Sequence, residues 1–339
     1  MTPRPLLGIT MGDVCGIGPE VIVKALSHSS VYAFCRPLVI GDAEVLAANL
    51  AHASRRLEVR CVDNPESGEY RFGQIDLRAP VDLELARIET GCVCPEAGRA
   101  AVEWVYRAAD LAAAGRIDGI ATAPLNKEAM NRAGFPYAGH TELLAERLGV
   151  PDVRLMLASE RLNVAHVTGH VALEEVPERL TEARVFGTIR LLNDALADMG
   201  RPHPRIAVCG LNPHAGEAGI LGREDADVIL PAVQRANAGG MRVTGPLPAD
   251  TVFLKAYNGG FDGVVAMYHD QGHAPVKLVA FHDAVNVTLG LPVVRVSVDH
   301  GTAFDIAGKG VANEANMLST LRLGARLAGK KRVKADGGE

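Results

Sequence analysis

The chain of 339 residues carries a formal net charge of −5, and 48% of its residues are hydrophobic against 22% charged. This length is sufficient for two domains with buried cores, and the composition excludes a disordered or collagen-like chain. The acidic balance leaves no basic surplus for a phosphate backbone, which argues against nucleic acid as a main partner. No apolar run reaches the roughly 18 residues that span a bilayer, and the first residues do not form a signal peptide, so we expect a cytoplasmic protein without a membrane partner.

Short apolar or β-branched runs alternate with segments of helical periodicity along the chain. In chain order, these runs predict strands at residues 6–10, 38–40, 119–122, 206–209 and 263–267. Pro95 opens a predicted helix that reaches residue 114, and Thr141 precedes another that ends at Gly149. Near-continuous apolar strands are buried on both faces, so the sequence predicts an α/β fold with largely parallel sheets and helices on both faces.

The chain contains neither an internal repeat nor a long flexible linker, so two domains would be connected more than once. We expect a discontinuous first α/β domain at residues 1–125 and 290–330. A second α/β domain at 126–289 then carries most of the candidate metal and substrate residues. The tail at 331–339 is expected to fray.

A glycine-rich turn follows the first predicted strand and contains Gly12, Gly16 and Gly18. Its amides can cradle an anion or a cofactor at the start of a helix, or the turn can be purely structural. Val21 stands where the third glycine of the dinucleotide fingerprint would be, which argues against a Rossmann site.

Three histidines, His170, His214 and His269, end strand-like runs. Imidazoles from three loops can hold one divalent metal, although a hydrogen-bonded structural role is the alternative for each, because their spacing forms no motif. His166 lies in a predicted strand, where four residues span about 13 Å, too far to share an ion with His170. Gly272 and Pro275 discourage the helix that would bring His273 beside His269.

Polar and cationic groups suited to a phosphate occur near the same turns, at His140, Thr141, Lys277, Asn286 and Arg295. Lys277 and Arg295 can equally be solvated surface charges. However, Arg295 lies inside the apolar run 293–298, where a charge needs a partner. The loop at 299–310 is rich in small and polar residues, so it either receives a flat ligand or forms an irregular turn with Asp305 as a cap.

Taken together, the segments 139–142, 211–217, 245–251, 267–272 and 299–303 resemble the 4-hydroxythreonine-4-phosphate dehydrogenase (PdxA) family, from Ile9 to about Asn316. The chain is most similar to the catabolic branch of this family, which acts on 4-phospho-D-threonate and 4-phospho-D-erythronate. The resemblance implies the two-domain fold of isopropylmalate and isocitrate dehydrogenases, not a Rossmann fold. It also implies NAD, one divalent ion (zinc, magnesium, manganese or cobalt) and a homodimer whose metal sites draw on both subunits.

The resemblance also assigns individual residues. It places His170, His214 and His269 at the metal, and His140, Thr141, Lys277, Asn286 and Arg295 at the substrate. The loop at 300–310 is similar to an adenosine-binding loop, which makes His300, Gly301 and Asp305 expected cofactor contacts beside Gly12, Gly16 and Gly18. One departure is Val14-Cys15, where the family usually has Pro-Ala.

The expected reaction is metal-dependent, NAD-linked oxidation of the C3 hydroxyl of a 4-phosphorylated four-carbon hydroxy acid, followed by decarboxylation to dihydroxyacetone phosphate. Lys277 or Asp270 is the candidate for proton transfer. The alternatives are 4-phosphooxy-threonine oxidation in pyridoxine biosynthesis, a dihydrodiol dehydrogenase and a non-catalytic phospho-acid sensor. His273 resembles the catabolic branch, and a protonated imidazole near C2 would repel the ammonium of the amino-acid substrate.

Overall fold

The structure is a computed structural model that describes residues 4–80 and 88–336. Its strands, in chain order, are β1 Leu6–Thr10, β2 Arg36–Ile40, β3 Glu58–Cys61, β4 Gln74–Arg78, β5 Gly119–Thr122, β6 Arg154–Ala158, β7 Asn163–His166, β8 Arg205–Cys209, β9 Arg242–Leu247, β10 Gly263–Ala266, β11 Val285–Leu289 and β12 Val294–Val298. Its α-helices are α1 Gly18–Leu26, α2 Val31–Phe34, α3 Ala43–Asn49, α4 Pro95–Ala113, α5 Lys127–Arg132, α6 His140–Arg147, α7 Val176–Arg179, α8 Glu182–Asp198, α9 Leu230–Ala238, α10 Ala249–Tyr257, α11 His269–Ala280 and α12 Ala315–Asp336.

The chain divides into two compact units. Unit 1 comprises the described residues up to Pro151 and those from Leu291 onward, and unit 2 comprises Asp152–Gly290. Residues 126–151, which the sequence interpretation assigned to the second domain, belong to unit 1, because α5 and α6 pack against α4.

The sheet of unit 1 is parallel, with the order β3-β4-β2-β1-β5-β12. Every residue of β1 and β5 is buried, which explains their uninterrupted apolar sequences. Helices α4 and α12 pack on these central strands, and Trp104 of α4 is fully buried. Helix α12 runs to Asp336, so the helix extends into the segment expected to fray, and residues 337–339 lie outside the described residues.

The sheet of unit 2 has the order β11-β6-β7-β10-β8-β9. Strand β6 is antiparallel to both of its neighbours, and the remaining pairs are parallel. Its core is built from buried aliphatic side chains of β6, β7, β8 and β10 packed with those of α10 and α11, including Leu157, Val164, Ala207, Val264 and Val276. The predicted α/β class and largely parallel strands are therefore confirmed. Within the described ranges, no helix has the length and apolar character needed to cross a membrane.

Candidate active site

A cavity of about 380 Å³ in unit 2 contains two of the predicted metal ligands. His170 follows β7 and His269 begins α11 directly after β10; β7 and β10 are neighbouring parallel strands, so their carboxyl ends meet. The imidazole centroids of His170 and His269 are 5.2 Å apart. The cavity is lined by Gly169, His170, Val171, Leu173, Val176, Tyr268, His269 and Asp270.

Asp270 orients His269. The Nδ1–H of His269 donates to Oδ1 of Asp270 over 2.6 Å, which leaves Nε2 of this imidazole as the lone-pair nitrogen that a metal requires. The same hydrogen bond holds the pKa of the Asp270 carboxyl below its usual value. A carboxylate with a lowered pKa is a weak base, which favours a positioning role for Asp270, and the proton-transfer role expected from the sequence stays a prediction.

Gly272 and Pro275 were expected to discourage a helix after His269, and this expectation is wrong. Helix α11 spans both residues, and the rings of His269 and His273 stack with centroids 3.7 Å apart. Gly272 serves close packing, because a Cβ at this position would lie 2.4 Å from Nε2 of His166 on β7. The glycine therefore allows α11 to approach the sheet.

His273 and His166 form a hydrogen-bonded pair behind His269. Nδ1 of His166 lies 3.2 Å from the Leu155 carbonyl, which can only accept, so Nδ1 carries the proton and Nε2 accepts from Nδ1–H of His273 over 3.0 Å. Burial, followed by the neighbouring His269, lowers the pKa of His273 to about 4. His273 is thus neutral near pH 7, and the charge repulsion suggested from the sequence has no basis.

His214 lies in a left-handed turn at Pro213–Gly219 that follows β8. Its φ of 53° is uncommon for a non-glycine residue, and the following residues continue in the same region. The buried carboxylate of Asp225 fixes the start of this turn by accepting from the Leu211 amide at 2.8 Å and from the Asn212 amide at 3.2 Å. The role of Asp225 has no local sequence signal, because its partners lie more than ten residues away in the chain.

Gln271 connects two of the three histidine-bearing loops. Its Oε1 accepts from the Met267 amide at 2.7 Å, and its Nε2 donates to the Gly210 carbonyl at 2.8 Å. The ends of β8 and β10 are therefore held together by one side chain from the segment 267–272. The sequence alone assigns Gln271 no role, although it belongs to a segment that resembles the family.

Two of the predicted ligands have the chemistry that a divalent metal requires. His170 and His269 offer adjacent imidazoles, and Asp270 fixes the tautomer of one of them, which is the chemistry of a divalent metal site. Among the described residues of one chain, no three His, Cys, Asp or Glu side chains are close enough together to hold an ion. The pair fits two positions of such a site, and a third ligand would have to come from elsewhere.

Unit 1 contains a second polar cluster at the start of α6. Arg295 on β12 is buried, and its Nη2 donates to Oγ1 of Thr122 on the adjacent β5 over 2.7 Å. Burial, Arg295 and Lys127 hold the pKa of His140 well below its usual value, so this imidazole is neutral. Nε2 of His140 is enclosed and has no hydrogen-bond partner within residues 4–80 and 88–336. Thr141 is the next residue in the first turn of α6.

The other two predicted substrate residues belong to unit 2. Lys277 lies on α11 with its Nζ 5.2 Å from the centroid of the Phe281 ring. Asn286 lies on β11, and its buried Oδ1 has no partner in the described part of the chain.

The glycine-rich turn packs against its own chain. A Cβ added at Gly12 would lie 2.3 Å from the carbonyl oxygen of Pro124. One added at Gly16 would lie 2.7 Å from the carbonyl oxygen of Thr302, and one at Gly18 would lie 2.4 Å from that of Met11. These contacts explain why the three positions are glycine, and the expected contact of their amides with a cofactor stays a prediction. The Ile17 amide also donates to the Thr302 carbonyl at 3.0 Å, so the turn supports the first residues of the loop 300–310.

The other end of the loop 300–310 is anchored by Glu20 and Lys24 of α1. The buried Glu20 carboxylate accepts from the Ala312 amide at 2.8 Å, and Lys24 Nζ donates to the carbonyls of Gly310 at 2.8 Å and Ala312 at 2.7 Å. A Cβ at Gly301 would meet nothing within 4 Å, so this part of the loop is open to a ligand. The sequence signal for this anchor is an acidic and a basic residue four apart in a helix that is otherwise apolar.

Comparison with known proteins identifies the family. The model of "Pyridoxal phosphate biosynthetic protein PdxA" matches residues 33–324, and the chain belongs to the PdxA family. A D-threonate 4-phosphate dehydrogenase from Cupriavidus necator is 49% identical over 330 residues, covering 96% of this chain and 98% of the relative. A 4-hydroxythreonine-4-phosphate dehydrogenase from Desulfosudis oleivorans is 50% identical over 315 residues, covering 92% and 93% of the two chains.

A solved structure gives the same result in three dimensions. The crystal structure of a 4-hydroxythreonine-4-phosphate dehydrogenase from Burkholderia phymatum superposes with a TM-score of 0.82 at 49% identity, covering 96% of this chain and 99% of that one. The family and the fold that the sequence motifs imply are therefore confirmed.

Proposed function

We propose that this protein is a metal-dependent NAD dehydrogenase that oxidises the C3 hydroxyl of a 4-phosphorylated four-carbon hydroxy acid. The observation that carries the proposal is the buried guanidinium of Arg295 near the enclosed Nε2 of His140, which has no hydrogen-bond partner among the described residues, at the start of α6. Membership of a family whose relatives are named dehydrogenases of phosphorylated compounds supports the same reaction. The direct test is NADH formation from 4-phospho-D-threonate in the presence of a divalent ion.

Each residue has a defined task in this proposal. Arg295, His140 and Thr141 bind the phosphate, and His170, His269 and His214 supply the metal ligands. A divalent ion held by these histidines would supply Lewis-acid chemistry for the C3 hydroxyl and for the enolate left when carbon dioxide is lost, and NAD would be the hydride acceptor. Asp270 keeps His269 in the binding tautomer. Lys277 remains the candidate for moving the proton, and Asn286 for contacting a substrate oxygen.

We also propose a homodimer whose active sites draw on both subunits. In unit 2, large hydrophobic side chains are exposed on α10, on and just after α11, and just after the His214 turn, at Ile220, Leu221, Leu254, Leu278, Val279 and Phe281. Exposed apolar side chains in this number are typical of a surface that another subunit covers. Such a partner would bring a second copy of the His214 turn.

The preferred substrate is 4-phospho-D-threonate or 4-phospho-D-erythronate in this proposal, with dihydroxyacetone phosphate and carbon dioxide as products. His273 is neutral, so in this proposal its contribution to discrimination at C2 is hydrogen bonding. We expect kcat/KM for these two acids to exceed that for 4-phosphooxy-threonine, and His273→Leu to reduce the difference. A clear preference of the wild type for the amino acid would instead assign the protein to pyridoxine biosynthesis. Turnover of a non-phosphorylated dihydrodiol alone, or no turnover of any compound, would favour the dihydrodiol dehydrogenase or the non-catalytic sensor.

The anchor of the loop 300–310 leads to a prediction for the cofactor. Glu20→Gln removes the charge that holds the Ala312 amide and Lys24, so the loop loses its fixed position. If this loop binds NAD, the KM for NAD should rise by about tenfold, which is the effect of losing one charge-assisted hydrogen bond. The KM for the phosphorylated acid should stay unchanged. The matched control is Glu44→Gln in the first turn of α3. Equal changes in both KM values would show that Glu20 supports the fold and not the cofactor loop.

A further inference from the structure

A second cavity in unit 2, of about 430 Å³, is lined by three arginines. Its volume is that of a small-molecule site and exceeds what a single water or ion needs. None of the residues assigned above to metal, substrate or cofactor lines it. The lining, which we call the arginine cavity, comprises Asp152, Arg154, Thr168, Val171, Arg179, Thr181, Ala183 and Arg184.

The arginine cavity has an excess of positive charge. Asp152 is the single carboxylate among its lining residues; its Oδ1 accepts from Nη1 of Arg154 and lies 4.0 Å from Nη1 of Arg184. Arg179 is paired with Glu175, which is not part of the lining. One carboxylate therefore faces two guanidinium groups that have no other acidic partner in the cavity lining.

Both of these guanidinium groups are held in place by the protein. Arg154 is nearly inaccessible, and its Nε donates to Oγ1 of Thr188 over 2.8 Å. Nε of Arg184 donates to the Val167 carbonyl over 2.7 Å. Burial lowers the pKa of Arg184, and the charge of Arg154 lowers it further. A positive group in such surroundings is stabilised when an anion binds beside it, and little side-chain entropy is lost because the geometry already exists.

The amino end of α8 adds donors to the arginine cavity. Thr181 and Ala183 line it, and Oγ1 of Thr181 caps this helix of 17 residues by accepting from the Arg184 amide over 3.2 Å. The partial positive charge of a helix amino terminus favours an anion at this point. This partial charge adds to the positive charge of the arginines, which define the site.

We propose that the arginine cavity is an oxyanion site that takes a phosphate group through Arg184 and Arg154 with support from Arg179. Guanidinium groups match phosphate oxygens in pairs, and the volume leaves room for a short carbon chain on the phosphate. The ligand is either inorganic phosphate or a small phosphate monoester. Thr168 and Val171 flank His170, so a bound phosphate contacts the segment that carries a proposed metal ligand.

Calorimetric titration of the full-length protein with inorganic phosphate tests the site. Arg184→Gln should weaken binding to one site per chain by about ten- to hundredfold, the effect of losing a charge-assisted contact. Arg179→Gln, at an exposed position that the fold tolerates, should weaken the same site less. Asp152→Asn removes the competing carboxylate and should increase the affinity of the arginine cavity for phosphate. Arg190→Gln on the same helix is the matched control, because Arg190 pairs with Asp194 and does not line the cavity.

The proposal is independent of the substrate site. Arg295→Ala should abolish phosphate binding at the proposed substrate site. Titration of that variant then measures the Arg184-dependent site alone. Phosphate should also slow amide hydrogen exchange at 168–171 and 181–184, and this protection should vanish in Arg184→Gln. Tighter binding of glycerol 3-phosphate than of phosphate in the Arg295→Ala protein would identify a monoester as the ligand, and the reverse order would identify inorganic phosphate. If Arg184→Gln and Arg179→Gln titrate like Arg190→Gln, the arginine cavity is not an anion site.

Discussion

With the proposed metal site, the His269→Ala protein is expected to lose its divalent ion and its turnover together. Replacing a residue that only orients a metal ligand typically costs about 10–100-fold in metal affinity or activity, so the loss of a ligand should exceed this range. Asp270→Asn, which weakens the 2.6 Å bond to Nδ1 but keeps Nε2 of His269, should fall inside it. Metal content by elemental analysis and kcat are the two measurements. Full metal content with near-normal turnover in His170→Ala, His214→Ala and His269→Ala would contradict the assignment.

Subunit mixing tests where the third ligand comes from. His170 and His269 share one cavity, whereas the described part of one chain contains no cluster of three ligands. If the partner subunit provides the third imidazole, mixing inactive His214→Ala and His269→Ala proteins regenerates one complete site in each heterodimer. Random reassortment should then restore about a quarter of wild-type activity, as two-fold symmetry requires. Mixing His170→Ala with His269→Ala is the control and should restore nothing, because both ligands belong to the same cavity.

Much of the fold could be predicted from the sequence, because the central strands are buried. The apolar segments at β1, β5, β8 and β10 are short, continuous and bounded by turns, and all four were predicted at their observed positions within one residue. The edge strand β3, with the sequence Glu-Val-Arg-Cys, was missed. Its side chains are exposed or half-buried, so the hydrophobic pattern that identifies a central strand is absent.

In the candidate site, too, some residues could be predicted from the sequence and others could not. Histidines at strand ends could be selected from the sequence because the carboxyl ends of parallel strands meet, and the structure brings His170 and His269 together for that reason. The residues that hold the loops, such as Asp225 and Glu20, could not be selected, since their hydrogen bonds join segments far apart in the chain. Local propensity was also misleading at Gly272, where packing against His166 outweighs the low helix propensity of glycine.

Arg295→Ala is expected to reduce kcat/KM for the phosphorylated substrate strongly. Arg295 is buried on β12 and is oriented by its 2.7 Å bond to Thr122, so its guanidinium is already in position when a phosphate arrives. A charge-assisted contact with a desolvated phosphate contributes about 1.5–3 kcal/mol, which corresponds to a loss of about ten- to hundredfold for one contact. If the planar guanidinium makes two such contacts, the two factors multiply. Arg295→Lys should recover only part of the activity lost in Arg295→Ala, because lysine keeps the charge but lacks the paired donors.

The phosphate dependence of this loss separates binding from folding. A non-phosphorylated analogue such as D-threonate makes no contact with Arg295 in this proposal, so its already low kcat/KM should hardly change in Arg295→Ala. Thr122→Ala removes the orienting bond while retaining the cation, and it should give a smaller loss in the same direction. Circular dichroism and thermal unfolding establish that each variant is folded. An equal loss on both substrates would mean that Arg295 stabilises the strand β12 and does not bind phosphate, because a purely structural effect lowers every activity of the site together.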